Sequence, residues 1–529
     1  MTEIRCPLEE AAESHGGRPA VISGGRVLSY ADFHQRVARV AAALHQAGCR
    51  PGDRVAILAP NSPDYLVWVL AVLRLGAVCC PMNTRLPDRT AADLLRRVDC
   101  RKLVVQAPAP EGPGEASGDA PFADGGRFKV ILSGDLWLME RGDARLLADH
   151  DRQNTRGRDH RETRGADPAS ASADRDARGC TIPLDRPATV VFTSGSTGTP
   201  KAVLHSYGNH YYNALGSNEN LPLAAGDRWL LDLPLYHVGG LGILFRCLLA
   251  GATVVMPDRE ETLDTVLSRY EVTHLSVVVT QLHRLLQQPE SVRYPSLRYV
   301  LLGGSPVPLK LLERAAARGL PVFASYGCTE MASQVATTGP GSTTAQRLTS
   351  GKLLAHRKLR IGEEGEIQLA GKTLFMGYVE GDTLQRPLTG DGWFPTGDLG
   401  RVDEDGYLTV IGRRDNRFFS GGETIHPEEI ERALTDHDGV DRAVVVPVPD
   451  EEFGQRCVAF VQPRDGCPDG PALAAWLGRT LPRYKVPDVF YRWPDTDPNT
   501  FKIDRARFRR LAEEGLKVPP GEQESRGHP

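Results

Sequence analysis

The stretch VVFTSGSTGTPKAV, residues 190–203, runs from apolar residues into a loop of glycine, serine and threonine that Lys201 closes. Glycines let backbone N–H groups approach a ligand closely and form an anion-binding nest. Because the hydroxyls add donors and Lys201 adds charge, the stretch predicts a polyphosphate site; a polar surface loop is the alternative. It is not a Walker A loop, since Thr199 and Pro200 separate Gly198 from the lysine.

The whole-chain composition is typical of a globular protein with more than one domain. The 529 residues are 41% hydrophobic, and the formal net charge of −4 argues against nucleic acid as the main partner. Since the cysteines form no C-x-x-C pair and the N-terminus shows no apolar signal segment, we expect reduced thiols and a cytoplasmic location. Arg246 interrupts the apolar run 238–257, which we therefore interpret as a buried helix, a turn and a strand, with no membrane span.

Helix and strand patterns alternate along the first four-fifths of the chain, which favours an α/β fold with parallel-rich sheets. Residues 29–48 predict a helix that begins after Ser29 as N-cap and stops at Gly48. Residues 151–179 contain no large apolar side chain, so we predict a flexible insertion, extending over about residues 107–183. The predicted domains are residues 1–413 and an α+β unit, residues 416–516, with a flexible tail at 517–529.

Five motifs, in order, resemble those of the acyl-adenylate-forming enzymes, the superfamily of acyl-CoA synthetases. They are TSGSTGTPKAV (193–203), YGCTE (326–330), GWFPTGDLG (392–400), GRRDNRFFSGGETIHPEEIE (412–431) and FKIDR (501–505). A narrower resemblance, to the o-succinylbenzoate–CoA ligases of menaquinone synthesis, is carried by LPLYHVGGLGILFRCLLAGATVV (233–255), SGGETIHPEEIE (420–431) and VPVPDEEFGQRCVAFV (446–461). The resemblance implies a large adenylate-forming N-terminal domain and a small, mobile C-terminal domain.

The reaction implied by this resemblance has two halves. ATP and Mg²⁺ activate o-succinylbenzoate to an acyl-adenylate, and CoA then takes the acyl group, releasing AMP. Two alternatives stay open: an acyl- or aryl-CoA ligase for a different carboxylic acid, and a non-catalytic nucleotide-binding homologue. The expected partners are therefore the small-molecule acid, ATP and CoA; a homo-oligomer is left open.

The resemblance also implies roles for individual residues. Glu330 would hold Mg²⁺, Thr329 would bond the α-phosphate, and Lys502 would bridge the two reacting anions. Phe501 departs from the glycine that usually precedes this lysine. The implied ATP-binding residues are Thr193, Ser194, Gly195, Ser196, Thr197, Gly198, Lys201, Gly303, Gly304, Ser325, Tyr326, Gly327, Asp398 and Arg413.

Hinge and acid-binding roles complete the expected site. Asp415 matches the hinge position, and Gly421 and Gly422 would line a passage for CoA, with an ordinary turn as the alternative. Arg246 is expected to bind the ring carboxylate, because an unpaired buried cation is costly; a salt bridge to a protein acid is the alternative. His237, which could instead be structural, and Thr280 and Ser305 are further candidates for the acid pocket.

Overall fold

The structure is a computed structural model. It describes residues 2–106, 127–128, 131–133, 136–142, 180–193, 200–257, 261–289, 291–304, 309–464, 469–494 and 503–515. Several predictions from the sequence lie outside this part of the chain: the segment 151–179, the loop residues Ser194, Gly195, Ser196, Thr197 and Gly198, as well as Ser305, Lys502 and the tail 517–529.

Two large sheets form the body of the N-terminal part. The first contains, in spatial order, Thr383–Gln385, Gly377–Glu380, Lys201–Ser206, Pro187–Thr193, Val78–Pro81, Arg54–Leu58, Lys102–Gln106, Leu136–Gly142 and Arg127–Phe128, with Ile131–Ser133 paired to Leu136–Gly142. The second contains Lys352–Leu353, Ser333–Thr337, Val322–Cys328, Tyr299–Leu302, His274–Val277, Arg228–Leu230, Thr253–Met256, Pro19–Ser23 and Arg26–Ser29. The central strands of both sheets are parallel, which confirms the predicted α/β class.

Smaller sheets complete the N-terminal part. A four-stranded antiparallel sheet is formed by Arg357–Ile361, Glu366–Gly371, Phe394–Val402 and Leu408–Arg413. A short antiparallel pair joins Glu3–Arg5 to Thr181–Pro183. Within the segment predicted as a flexible insertion, the structure describes the short strands Arg127–Phe128, Ile131–Ser133, Leu136–Gly142 and Thr181–Pro183. The stretch 151–179 lacks large apolar residues, whereas the sequence LWLMERG at 136–142 is of a composition suited to a strand.

The helices of the N-terminal part surround the two large sheets and also lie between them. They are Pro7–His15, Tyr30–Gln46, Pro63–Leu75, Asp88–Arg97, Tyr207–Asn220, Val238–Ala250, Leu263–Arg269, Val279–Leu285, Leu309–Ala317 and Thr344–Arg347, with 3₁₀ turns at Thr329–Met331, Glu363–Gly365 and Arg414–Asn416. One core cluster joins side chains of both sheets to Pro63–Leu75 and Val238–Ala250. Because these two helices are enclosed, they are apolar on nearly every face.

Local signals in the sequence place the helix ends well. Ser29 accepts a hydrogen bond from the Asp32 backbone N–H at 3.1 Å and caps the helix Tyr30–Gln46, as predicted. The helix Val238–Ala250 ends at Gly251, whose φ of 63° is left-handed, and the strand Thr253–Met256 follows. The run 238–257 is therefore a helix, a turn and a strand. Within the described ranges, none of the helices has the length and apolar character needed to span a bilayer.

The C-terminal part is a separate α+β unit. Its strands are Phe418–Ser420, Glu423–Ile425, Val440–Asp450, Gly454–Pro463 and Val489–Arg492, its helices are Pro427–Thr435, Gly470–Leu477 and Arg505–Gly515, and Arg483–Lys485 is a 3₁₀ turn. It has its own core, which includes Ile430 and Leu477. Polar contacts join it to the body: Lys310 donates to Asp438 at 2.5 Å, and His283 Nε2 lies 2.7 Å from Asp441.

Candidate active site

A buried carboxylate lies where the four-stranded antiparallel sheet meets the second large sheet. Asp398, in the strand Phe394–Val402, is only 9% exposed. Its Oδ2 accepts from the Tyr326 hydroxyl at 2.6 Å and its Oδ1 from Arg413 Nη1 at 2.9 Å. Each carboxylate oxygen still has a lone pair for a further donor. Tyr326 and Arg413, both predicted to bind the nucleotide, thus contact the predicted ribose-binding Asp398, and the free lone pairs of this carboxylate suit binding of a diol.

A second carboxylate lies on the turn that follows the strand Val322–Cys328. Glu330 Oε1 accepts from the Tyr378 hydroxyl at 2.7 Å. Lys201 Nζ lies 4.9 Å from the centroid of the same ring, because the strands of Val203 and Tyr378 are paired. Among the described contacts none engages Glu330 Oε2, so that oxygen is available to a cation. A lone carboxylate fits Mg²⁺, which takes its remaining ligands from phosphates and water.

The turn between these groups has an unusual backbone. Ala332 and Ser333 have φ values of 57° and 135°, a region that residues other than glycine rarely adopt. Gly327 is required opposite, because a Cβ there would lie 2.2 Å from the Ser333 carbonyl oxygen. Such strain tends to occur where a structure must hold functional groups in place. This turn carries both Glu330, which contacts Tyr378, and Ser333, which contacts Arg246.

The predicted adenine-side residues cluster at the ends of neighbouring strands. Gly303 and Gly304 follow the strand Tyr299–Leu302, and a Cβ on Gly303 would lie 3.6 Å from the Ser325 carbonyl oxygen. Gly304 has a φ of 91°, which favours glycine. The Ser325 hydroxyl donates to the Ala336 carbonyl at 3.0 Å, so that side chain holds the strand pair together.

A chain of buried hydrogen bonds supports the turn Thr329–Met331. His205 Nε2 donates to the Thr329 carbonyl at 2.7 Å, since a carbonyl can only accept. His205 Nδ1 must then accept from the Thr189 hydroxyl at 3.3 Å, and Thr189 in turn accepts from His210 Nε2 at 2.7 Å. Burial lowers the pKa of His205 to about 4 and that of His210 well below its usual value. Both rings are therefore neutral, and His210 presents Nδ1 as a buried acceptor with no partner in the described structure.

The charge predicted to bind the acid is fully buried. Arg246, on the helix Val238–Ala250, is 1% exposed and stacks over the Trp229 ring at 5.1 Å. Its Nη2 donates to Ser333 Oγ at 3.3 Å. No carboxylate of the described residues pairs with it, and its Nε has no partner among them. Burial lowers its pKa to about 10, so the alternative of a structural salt bridge finds no support.

A second buried cation lies close to Arg246. Arg357 donates to the carbonyls of Gln334, Ala355 and Asn213, at 2.7, 2.6 and 3.1 Å. Burial, followed by repulsion from Arg246, lowers its pKa to about 9. Four buried side-chain oxygens in this region lack a described partner, those of Asn213, Ser217, Asn218 and Gln334. The region is thus cationic, polar and incompletely satisfied, as expected of a site for an anion.

Comparison with known proteins identifies the family of the chain. The family model described as AMP-binding enzyme matches residues 8–379, and that described as AMP-binding enzyme C-terminal domain matches residues 429–500. The chain belongs to the AMP-binding enzymes. It is 34% identical to 2-succinylbenzoate–CoA ligase of Bacillus licheniformis over 92% of this chain and 95% of that protein. It is also 34% identical to the enzyme of the same name from Geobacillus kaustophilus, over 97% and 98% of the two chains.

Solved structures resemble this AMP-binding enzyme over nearly its whole length. The o-succinylbenzoate CoA synthetase of Bacillus subtilis in complex with the acyl-adenylate OSB-AMP gives a TM-score of 0.77 at 28% identity, covering 96% of this chain and 99% of that one. The same protein with ATP and magnesium gives 0.74 at 29% identity, covering 93% and 96%. The resemblance predicted from the motifs is confirmed, as are the two-domain architecture and the adenylate-forming fold.

Two of the predicted acid-pocket residues of this AMP-binding enzyme lie apart from Arg246. His237 is the exposed N-cap residue of the helix Val238–Ala250, and about 13 Å of helix separates it from Arg246. Thr280 lines a cavity between the helix Val279–Leu285 and the C-terminal part, together with Arg314 and Arg442. No described contact joins either residue to Arg246. Of the three predicted acid-binding residues that the structure describes, Arg246 is the one that lies in the cationic region.

The glycines predicted to guide CoA have a local explanation. Gly421 and Gly422 form the two-residue loop between the strands Phe418–Ser420 and Glu423–Ile425, with φ values of 57° and 85°. Such a tight hairpin loop needs two positive φ values, which glycine supplies at little cost. A passage for CoA is therefore an additional role that the turn does not require. Asp415, the predicted hinge residue, lies in the 3₁₀ turn Arg414–Asn416, with Oδ2 3.7 Å from Arg413 Nη2.

Several residues of the site escape prediction from the sequence. They are Thr189, His205, His210, Asn213, Gln334, Arg357, Tyr378 and Ser333. One signal was available: Asn209, Asn213 and Ser217 are spaced by four residues on the helix Tyr207–Asn220, and all three are buried. Polar side chains at this spacing form a stripe along one helix face. A polar stripe on a buried helix indicates hydrogen-bond partners or a ligand.

Proposed function

We propose that this AMP-binding enzyme activates o-succinylbenzoate with ATP to an acyl-adenylate and transfers the acyl group to CoA, forming o-succinylbenzoyl-CoA, AMP and pyrophosphate. One observation carries the proposal: Arg246 is a buried cation without a described acid partner, and its guanidinium contacts Ser333 on the turn that also carries Thr329 and Glu330. A substrate with two carboxylates fits this turn. One would react beside Thr329, and the ring carboxylate would bind Arg246.

The remaining residues would neutralise and position charge. The first half-reaction joins two anions, so its main requirement is electrostatic stabilisation at fixed positions. Glu330 would hold Mg²⁺, which when bound supplies positive charge to the phosphates. Lys201 would contact the phosphates with the loop Thr193–Gly198, and Asp398 with Arg413 would hold the ribose. Lys502 would bridge the attacking carboxylate and the α-phosphate.

A substrate panel tests the acid. The full chain, ATP, Mg²⁺ and CoA are mixed with o-succinylbenzoate, benzoate, a medium-chain fatty acid or acetate, and AMP formation is measured. We expect strong preference for o-succinylbenzoate. Activity on another acid would retain the adenylating mechanism and reject this substrate, while silence on all four would favour the non-catalytic alternative.

The role of Lys502 separates the two half-reactions. Lys502→Ala should abolish pyrophosphate release from ATP and acid, yet leave CoA transfer from supplied acyl-adenylate largely intact. Lys201→Ala is the matched comparison, because a lysine that binds only the β- and γ-phosphates should also spare the second half-reaction while raising KM for ATP. Equal loss of both half-reactions in Lys502→Ala would contradict the assignment.

A further inference from the structure

Two cysteines far apart in sequence face each other at the edge of the N-terminal part. The strands Glu3–Arg5 and Thr181–Pro183 pair antiparallel, with Arg5 opposite Thr181. The next pair in this register is Cys6 and Cys180, and the Cys6 backbone N–H donates to the Cys180 carbonyl at 2.7 Å. Directly opposed residues in such a pair have Cα atoms about 5.5 Å apart, within the range that a disulfide bridges.

The environments of the two thiols differ. Cys6 is buried in the apolar core, whereas Cys180 is half-buried. The neighbouring Cys6 thiol, with smaller contributions from Arg74 and Arg186, lowers the pKa of Cys180 to about 6, while burial and Glu9 act in the opposite direction. The pKa of Cys6 is raised. Cys180 is therefore the nucleophile of the pair, and Cys6 holds the proton.

We propose that Cys6 and Cys180 are an oxidation site, at which Cys180 reacts with a peroxide and Cys6 then closes an intramolecular disulfide. In the first step the Cys180 sulfur attacks a peroxide oxygen; an S–O bond forms, the O–O bond breaks, and water leaves. In the second step the Cys6 sulfur attacks the Cys180 sulfur; the S–S bond forms, the S–O bond breaks, and a second water carries away the Cys6 proton. Two thiols lose two electrons and hydrogen peroxide becomes two waters.

The chain supplies an internal control. Cys80 and Cys100 are a second pair of neighbouring thiols, but both are buried, and the Cys100 thiol followed by burial raises the pKa of Cys80. Two buried thiols that peroxide cannot reach should resist oxidation. The proposal does not depend on the ligase activity, because none of these four residues contacts the carboxylates or arginines of the candidate active site among the described residues.

Peptide mapping after treatment of the full chain with one equivalent of hydrogen peroxide tests the site. We expect a non-reduced Cys6–Cys180 cross-linked peptide that dithiothreitol cleaves, and no Cys80–Cys100 product. In Cys6→Ser the sulfenic acid at Cys180 should persist and react with dimedone, and Cys80→Ala should behave as the unaltered chain. Prior oxidation of other cysteines, or an unmodified Cys180, would overturn the proposal.

A second measurement needs no variant. The rate of iodoacetamide alkylation of Cys180 is followed by mass spectrometry between pH 5 and 9. At pH 7 we expect Cys180 to react about tenfold faster than an ordinary exposed thiol, since most of it is thiolate. A rate that keeps rising up to pH 9, as for an unperturbed thiol, would also reject the proposal.

Discussion

Replacing Arg246 by methionine should distinguish the contribution of this residue to substrate binding from its contribution to the stability of the fold. Burial lowers the pKa of Arg246 to about 10, which makes the charged form about 3 kcal/mol less favourable than in water. Against this stand its hydrogen bond to Ser333 and its contact with the Trp229 ring, together worth about 2 to 3 kcal/mol. Methionine keeps much of the volume. The free energy of unfolding of Arg246→Met should therefore change by only about 1 kcal/mol.

The effect on substrate binding should be much larger. If the ring carboxylate makes two charge-assisted hydrogen bonds with Arg246, their loss costs about 3 to 4 kcal/mol. That corresponds to a rise of roughly 100- to 1,000-fold in KM for o-succinylbenzoate, with KM for ATP nearly unchanged. Initial rates of pyrophosphate release give both constants, and urea titration gives the stability.

Two controls sharpen the test. The analogue 4-oxo-4-phenylbutanoate lacks the ring carboxylate, so the variant should treat it much as the unaltered enzyme does. Arg357→Met is the matched substitution: it removes three hydrogen bonds to backbone carbonyls, two of them buried, and should destabilise the fold by several kcal/mol. A KM for o-succinylbenzoate that changes less than about threefold in Arg246→Met, or that rises equally for the analogue, would refute the reasoning.

Three further predictions follow from other contacts. Asp398→Ala removes the acceptor shared by Tyr326 and Arg413 and should raise KM for ATP at least about tenfold without affecting KM for the acid, as initial rates would show. Tyr378→Phe removes the donor to Glu330 and should raise the Mg²⁺ concentration for half-maximal rate by about two- to tenfold; an unchanged Mg²⁺ titration would count against the metal role of Glu330. Burial lowers the pKa of His205 and His274 to about 4. Below about pH 6.5 these histidines bind protons in the unfolded chain but stay neutral in the folded one. The free energy of unfolding therefore decreases as the pH falls from about 6.5 to about 4, by about 3 kcal/mol for each ring. Urea titrations across this range should show a shallower pH dependence in His205→Gln.

The sequence predicts local structure in this chain better than it predicts contacts between residues that are distant in sequence. The cap at Ser29 and the sequence of helix, turn and strand at 238–257 depend on residues close together in the chain, and both occur as predicted. The contact of Lys201 with the Tyr378 ring depends instead on the pairing of two strands some 175 residues apart. Spacing within a motif cannot indicate such a pair.

The absence of a described acid beside Arg246 bears directly on substrate selection. A protein carboxylate there would stabilise the free enzyme, yet it would compete with the ring carboxylate of the substrate. Without one, Ser333 and the Trp229 ring are the described partners of the buried charge, and a ligand anion would supply the ion pair that the protein does not. A monocarboxylic acid that reached the turn at Thr329 would leave Arg246 unpaired. A site that hydrogen-bonds a polar group of its substrate discriminates strongly against an analogue without that group, whereas an apolar pocket discriminates only weakly against a substrate that is one methylene shorter. Selectivity for a dicarboxylate would then follow from a residue that contributes little to the stability of the fold.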